Sequence, residues 1–384
     1  MSLLLHRKQR RNRGCIIKII VSPAFAHGIS SGSAGEGYGP LILLFGMIVF
    51  ILFLVFIHRK KGWTVLVTGG AGYVGSALVP RLLKHGHRVI VLDLYIFGEH
   101  SLKDVRNHVN LLEINGDIRN PNTLKTALHG CDAVIHLAGV SEENPTGLNS
   151  NRSRLVNLDA FVPLVRMAKE AGVKRFIYTS STTVYGAIKA SQATEETPLL
   201  PTNEFAKHTA QCETILHEER KSGFVTTIVR LGNICGFAPQ HRLDVIANAL
   251  TYAAITKGAI KISESAHNYP SIHIEDMVNL YIFLLGQPDA RIDGEIYNAV
   301  TENHSLLELA ETIRDAVTPK ISIEDIPPKG GTSYMVSSDK MRNELGFVPR
   351  HTLREAIGDL IKAFRASDYV DDTKNTHSNM DKSP

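Results

Sequence analysis

Glycines 69, 72 and 75 stand in the stretch TGGAGYVG, residues 68–75. An apolar run, 64–67, precedes them and reads as a strand. An apolar-periodic run, 74–83, follows and reads as a helix. Glycine at these places permits a tight turn and close approach of backbone to a pyrophosphate. The helix start beyond, at Tyr73 and Val74, offers backbone N–H groups and a partial positive charge to that anion. Asp93 ends a second apolar run, VIVLD, 18 residues past Gly75. A carboxylate there accepts both ribose hydroxyls of NAD and repels a 2′-phosphate. The plainer reading is a glycine-rich turn with no ligand; the agreement of strand, turn, helix and acid weighs against it.

The elements that must position this turn follow from hydrophobic periodicity. Strands are predicted at 64–68, 88–92, 110–114, 132–137, 174–180 and 224–230, with helices at 74–85, 121–129, 152–171 and 204–221. Near-continuous apolar strands such as AVIHLA suit a parallel sheet buried on both faces. Alternating β and α units predict an α/β, Rossmann-type doubly wound sheet over about 62–230. Pro80 inside the first helix predicts a local kink. From about 231 to 366 the pattern loosens. Helices near 242–257, 274–286, 304–317 and 351–366 and strands near 259–263 and 294–299 predict a smaller α/β substrate lobe. It would lie over the C-terminal edge of the sheet, where ligands of open α/β sheets bind. The tail, 367–384, is polar and reads as disordered.

The front of the chain reads as a membrane device. Residues 41–57, LILLFGMIVFILFLVFI, carry no charge and no polar side chain. As a helix they span about 25 Å, the short end for a bilayer core. Tyr38 and Trp63 flank them as interface anchors. His58-Arg59-Lys60-Lys61 abuts the far end, while the preceding twenty residues hold no Lys or Arg. The positive-inside rule then places the large domain in the cytoplasm of a single-pass protein. Six basic residues crowd the first 18 positions (Arg7, Lys8, Arg10, Arg11, Arg13, Lys18). They compete with that orientation unless 1–26 is a cleaved signal peptide; retention and cleavage both stay open. Residues 27–40, rich in Gly and Ser, would form a flexible external tail. Without those six cations the net charge of +4 falls to near neutral, which disfavours a nucleic-acid surface. The cysteines Cys15, Cys131, Cys212 and Cys235 lack metal-ligand spacing and read as reduced, packed thiols; no metal site is expected.

Several motifs together resemble the extended short-chain dehydrogenases/reductases of the NAD-dependent epimerase/dehydratase type, over about 63–364. Beside TGGAGYVG these are NGDIRN (115–120), HLAG (136–139), VNLDA (156–160), AGVKRFIYTSSTTVYG (171–186), RLGNICG (230–236), SIHIEDM (271–277) and SYMVSSDKMRNELGFVPRHT (333–352). The resemblance implies NAD as cofactor, with Asp117 and Ile118 flanking its adenine and Leu137, Ala138 and Gly139 lining it. It also implies a homodimer through the 152–171 and 204–221 helices.

The chemistry of this family needs a Tyr and a Lys four apart on one helix face, with a Ser or Thr on the fifth strand. Ser181 fits the hydroxyl position. In NEFAKHTAQCE (203–213), matching Glu213 to the family pattern places Phe205 at the Tyr position and Thr209 at the Lys position. Lys207 faces away. His208, three residues past Phe205, is the candidate acid or base, against the plainer reading of a solvated helix histidine. Tyr185 is a candidate substrate contact or a packing residue. Where family members that bind nucleotide diphosphate sugars often carry Arg, this chain has Tyr269, and Thr332 and Ser333 near the late motif. Asn233 and Arg242 remain as substrate-phosphate candidates. Two functional readings follow. One is an enzyme acting on a nucleotide-linked or lipid-linked sugar through an atypical site. The other is a non-catalytic NAD-binding scaffold or regulatory module at the membrane.

Overall fold

The computed structural model describes residues 46–47, 62–140, 153–186, 188, 192–263, 265–326 and 333–366. The expectations for 1–40, for 41–57 apart from Gly46 and Met47, and for 367–384 lie outside the described residues. Among the described residues no helix is long and apolar enough to cross a membrane. The described residues from Gly62 to Ala366 belong to one compact unit.

Its first half runs β1 (Thr64–Thr68), α1 (Tyr73–Lys84), β2 (Arg88–Asp93), β3 (Leu111–Asn115), α2 (Pro121–Leu128), β4 (Ala133–His136), α3 (Phe161–Glu170), β5 (Arg175–Ser181), β6 (Gln192–Ala193), α4 (Glu204–Glu218) and β7 (Val225–Leu231). The second half runs β8 (Asn233–Cys235), α5 (Ile246–Lys257), β9 (Ala259–Ser263), β10 (Asn268–His273), α6 (Ile274–Gly286), α7 (Asp289–Ile292), β11 (Glu295–Ala299), β12 (Glu302–Ser305), α8 (Leu306–Val317), β13 (Ser322–Ile326), β14 (Met335–Val336) and α9 (Leu353–Arg365).

The main sheet has the order β3-β2-β1-β4-β5-β7-β11 and is parallel throughout. Strand order reverses between β1 and β4, so a crevice opens beyond their C-terminal ends. Side chains alternate across the sheet as a period of two requires. Val65 and Val67 of β1 pack into the cluster that holds α1 and α6, whereas Leu66 packs into the one that holds α2, α3 and α4. Each such side chain, fully buried, contributes about 1.5–3 kcal/mol. Caps fix where helices begin. Asn203 Oδ1 accepts the Ala206 N–H at 2.8 Å and so starts α4. Ser305 with Glu308, and Thr352 with Glu355, form capping boxes on α8 and α9.

Three differences from the sequence expectation bear on the site. The predicted helix 152–171 opens with a π-helical turn, Arg154–Asp159, before α3. There Asn157 is buried, its amide exchanging two 2.8 Å hydrogen bonds with the Val140 backbone; π turns often mark functional regions. The boundary near residue 230 is crossed in both directions. α6 and β11 return to the main sheet, and β6 pairs with β14 beyond it. The short strands β8, β10 and β12 form a lobe sheet without a period-two apolar pattern, and β10 contains Pro270. α1 continues through Pro80 from Tyr73 to Lys84.

Candidate active site

The turn after β1 is built so that backbones touch. Gly69 adopts φ +69°, and a Cβ there would stand 2.8 Å from the Ala138 backbone. A Cβ on Gly75 would stand 2.5 Å from the Gly69 carbonyl oxygen and from Gly70, so only glycine lets α1 press onto the turn. Gly72 is the N-cap of α1 with no side-chain cap, and a Cβ there would meet only the Gly69 oxygen at 3.2 Å. Gly72 thus brings no capping side chain to the start of α1, and a helix N-terminus of this kind suits a phosphate. Val74 is half-buried beside them. Gly70, absent from the sequence-based list, packs on Val91, where a Cβ would approach both methyl groups at 2.9 Å.

Asp93 is pinned to the same turn. Its carboxylate accepts the Ala71 N–H at 3.0 Å and the Tyr95 N–H at 2.8 Å. Burial raises its pKa above the usual carboxylate value, against the lowering effect of those backbone N–H groups. Tyr95 takes a left-handed φ of 51° and donates to Glu113 at 2.7 Å. The turn after β4 lies alongside. The Leu137 N–H reaches the Thr68 carbonyl at 3.1 Å, Ala138 abuts Gly69, and Gly139 is exposed. Thr68 Oγ1 also bonds His136 Nδ1 at 2.7 Å, and burial lowers that imidazole to about 4.

Asp117 is gripped by Arg119, whose Nε and Nη2 donate at 2.8 and 2.5 Å and hold the carboxyl below its ordinary range. Ile118 is 6% exposed and packs in the sheet core with Leu92 and Leu124.

On α4, residues 205, 209 and 213 share one stripe. Glu213 is 5% exposed in its side chain and sets the register of α4 against the sheet. It accepts a short hydrogen bond from Ser180 and is clasped by Arg230 at 2.7–3.2 Å. One turn back, Thr209 is buried and donates to the Phe205 carbonyl at 2.8 Å. Ser181 closes β5 at the crevice edge, its Oγ accepting from Thr183 N and Oγ1 at 3.2 and 2.9 Å. His208 is buried, not solvated. Nε2 stands 3.9 Å from Glu204, and Nδ1 has no hydrogen-bond partner among the described residues.

Each substrate candidate has a partner of its own within the chain. Tyr185 is fully buried; its hydroxyl donates to Asn298 at 2.6 Å and accepts from Arg230 at 3.0 Å. A hydroxyl so engaged is a packing and network residue, which replaces the expected substrate contact. Asn233 donates to the Pro270 carbonyl at 3.0 Å and thereby ties β8 to β10. Arg242 is paired with Asp244 at 2.5 Å. Burial pushes the Asp244 carboxyl up, and the guanidinium outweighs it, leaving a net lowering. Tyr269 is 2% exposed in the lobe core; Ser333 accepts the Asn268 N–H at 2.9 Å, and Thr332 lies outside the described residues. The buried network of Glu213, Arg230, Tyr185 and Asn298 had no local sequence signal, since its members lie 17, 45 and 113 positions apart. Cys131, Cys212 and Cys235 are buried and unpaired, and burial pushes each thiol up to about 12. Among the described residues no cluster of His, Cys, Asp or Glu is placed to hold a metal ion.

Comparison with known proteins agrees with this geometry. Residues 65–299 match the family described as NAD dependent epimerase/dehydratase. The chain is 29% identical to UDP-arabinose 4-epimerase 1 of Arabidopsis thaliana, over 79% of this chain and 80% of that protein. It is 28% identical to UDP-glucose 4-epimerase of Lactobacillus helveticus, over 77% and 94%. Among solved structures, the UDP-glucuronic acid 4-epimerase of Bacillus cereus, in complex with UDP-glucuronic acid and NAD, has the same fold. Its TM-score is 0.72 at 20% identity, covering 79% of this chain and 99% of that one.

Proposed function

Because the chain belongs to the NAD dependent epimerase/dehydratase family, we propose that it binds NAD and acts as an oxidoreductase, epimerase or dehydratase on a nucleotide-linked sugar. The observation that carries this reading is the turn after β1. Gly69 and Gly75 exclude side chains, α1 starts from a glycine N-cap with no side-chain cap, and Asp93 is pinned beside them. The N–H groups at Tyr73 and Val74 hold the phosphates, and Asp93 accepts the ribose hydroxyls. Bound NAD supplies a hydride acceptor; the remaining chemistry belongs to the chain. Ser181 bonds the reacting sugar oxygen at the end of β5. Phe205 has no group that can accept a proton, so His208, with one imidazole nitrogen unpaired among the described residues, is the group on α4 that takes the proton of the sugar hydroxyl as the hydride passes to NAD. Arg242, turned from Asp244, and Asn233 bind the substrate phosphates.

The relatives named above act on UDP-sugars, and that substrate class is the first to test. NAD should raise the melting temperature of the native protein, by the mass-action stabilisation of the folded state, and NADP should not. Gly75→Ala should lose the shift, because its Cβ enters the turn. An equal shift with NADP, or none with NAD, would refute the cofactor assignment. A panel of UDP- and dTDP-sugars added to the NAD-loaded protein should produce the absorbance of reduced nicotinamide or an epimerised product. Silence across the panel would sink the catalytic reading.

That silence is the expected result of a second reading, favoured by Phe205, Thr209 and Tyr269 all standing at positions where the family resemblance implies Tyr, Lys and Arg. In it, bound NAD stabilises a scaffold or regulatory module. On either reading, residues 41–57 anchor the chain in a bilayer with the large domain in the cytoplasm. A reporter fused after Pro384 that reads out on the opposite side would overturn this. The family resemblance also supports a homodimer through α3 and α4; a monomeric mass at micromolar concentration would exclude it.

A further inference from the structure

The Tyr73 side chain leaves the cofactor half of the molecule. Its hydroxyl donates to the Gly236 carbonyl at 2.5 Å and accepts from Asn248 Nδ2 at 3.2 Å. Asn248, 2% exposed on α5, also donates to the Arg242 carbonyl at 3.0 Å and accepts the Gly236 N–H at 3.4 Å. One turn along α1, Ser76 Oγ accepts the Gln240 N–H at 3.1 Å and donates to the Tyr73 carbonyl at 3.0 Å. The Tyr73 ring is buried with Ala238 and Ile274. Gly236 holds φ +116°, and a Cβ there would stand 3.1 Å from Ile274. The segment 236–242 is thus fitted to its place, and it carries Arg242 on the substrate side.

We propose that Tyr73 is a positioning residue, which couples occupancy of the phosphate turn to the placement of segment 236–242. This rests on the cofactor reading above. The residue stands at both ends of the coupling. Its backbone N–H belongs to the first turn of α1, which a phosphate fixes. Its rigid ring ends in a hydroxyl bonded to the substrate-side segment. A phosphate that orders the first turn therefore orders Gly236 and, through Asn248, the backbone of Arg242. By linkage, a ligand held by Arg242 tightens NAD to the same degree.

Hydrogen exchange of the full-length chain, with and without saturating NAD, tests this. In the native protein NAD slows exchange of amides in 236–242 by about tenfold or more, within the usual range of coupling between sites. At saturation in Tyr73→Phe, which keeps the ring and its packing, slowing falls below about threefold. Asn248→Leu, which leaves α1 untouched, loses the same protection. A purely structural role for Tyr73 would change exchange equally with and without NAD, leaving the NAD-dependent difference intact. Equal NAD-dependent slowing in native and Tyr73→Phe proteins overturns the coupling and leaves the cofactor reading standing. So does its absence from a native protein that calorimetry shows to bind NAD. No heat with NAD overturns both.

Discussion

Replacing Phe205 with Tyr and Thr209 with Lys together should raise turnover of a nucleotide sugar by about 10²–10⁴-fold, the usual worth of a positioned acid or base. The two positions lie four apart on α4, on the stripe that Glu213 fixes against the sheet through Ser180 and Arg230. Phe205→Tyr adds one oxygen at the ring tip and hardly changes volume. Thr209→Lys supplies the cation that lowers the tyrosine pKa, since a nearby positive charge favours the phenolate. Phe205→Tyr alone should recover little, because its hydroxyl then stays near its ordinary pKa. The measurement is kcat on UDP-sugars with NAD present. A flat response in a double variant that still binds NAD would show that more than proton handling is missing. A native protein that already turns over, and a double variant that does not, would refute the scaffold reading and point to His208.

Removing the Glu213 carboxylate should destabilise the protein by about 3–5 kcal/mol, the cost of leaving a buried ion without its partner. Both side chains are buried, at 4% and 5% exposure, and Arg230 also serves the Tyr185 hydroxyl and lies over its ring. Glu213→Ala leaves that guanidinium in the core with only the Tyr185 hydroxyl and the Glu195 carbonyl as acceptors among the described residues. Glu213→Leu with Arg230→Met should recover much of the loss, since two apolar groups of similar volume need no solvation. Urea unfolding of the single and double variants reads this directly. A loss under about 1 kcal/mol for Glu213→Ala, the range of an exposed pair, would mean that water reaches the site.

The sequence by itself determined what depends on local spacing. Glycines at 69, 72 and 75 between strand and helix made a tight turn legible. Asp93 at the end of the second apolar run had to lie beside it, because parallel neighbours β1 and β2 end at one sheet edge. The parallel sheet was legible from its apolar strands. Only the tertiary structure decided which polar groups close on one another. Tyr185 meets Arg230 and Asn298, the Ile118 side chain turns into the core, and His208 is buried instead of solvated. Tyr73 spends its hydroxyl on a carbonyl 163 positions away. The physical reason is that periodicity fixes which face a side chain takes, while its partner is set by where the chain returns across the sheet. The returns made here by α6, β11 and the lobe strands leave no local pattern to read.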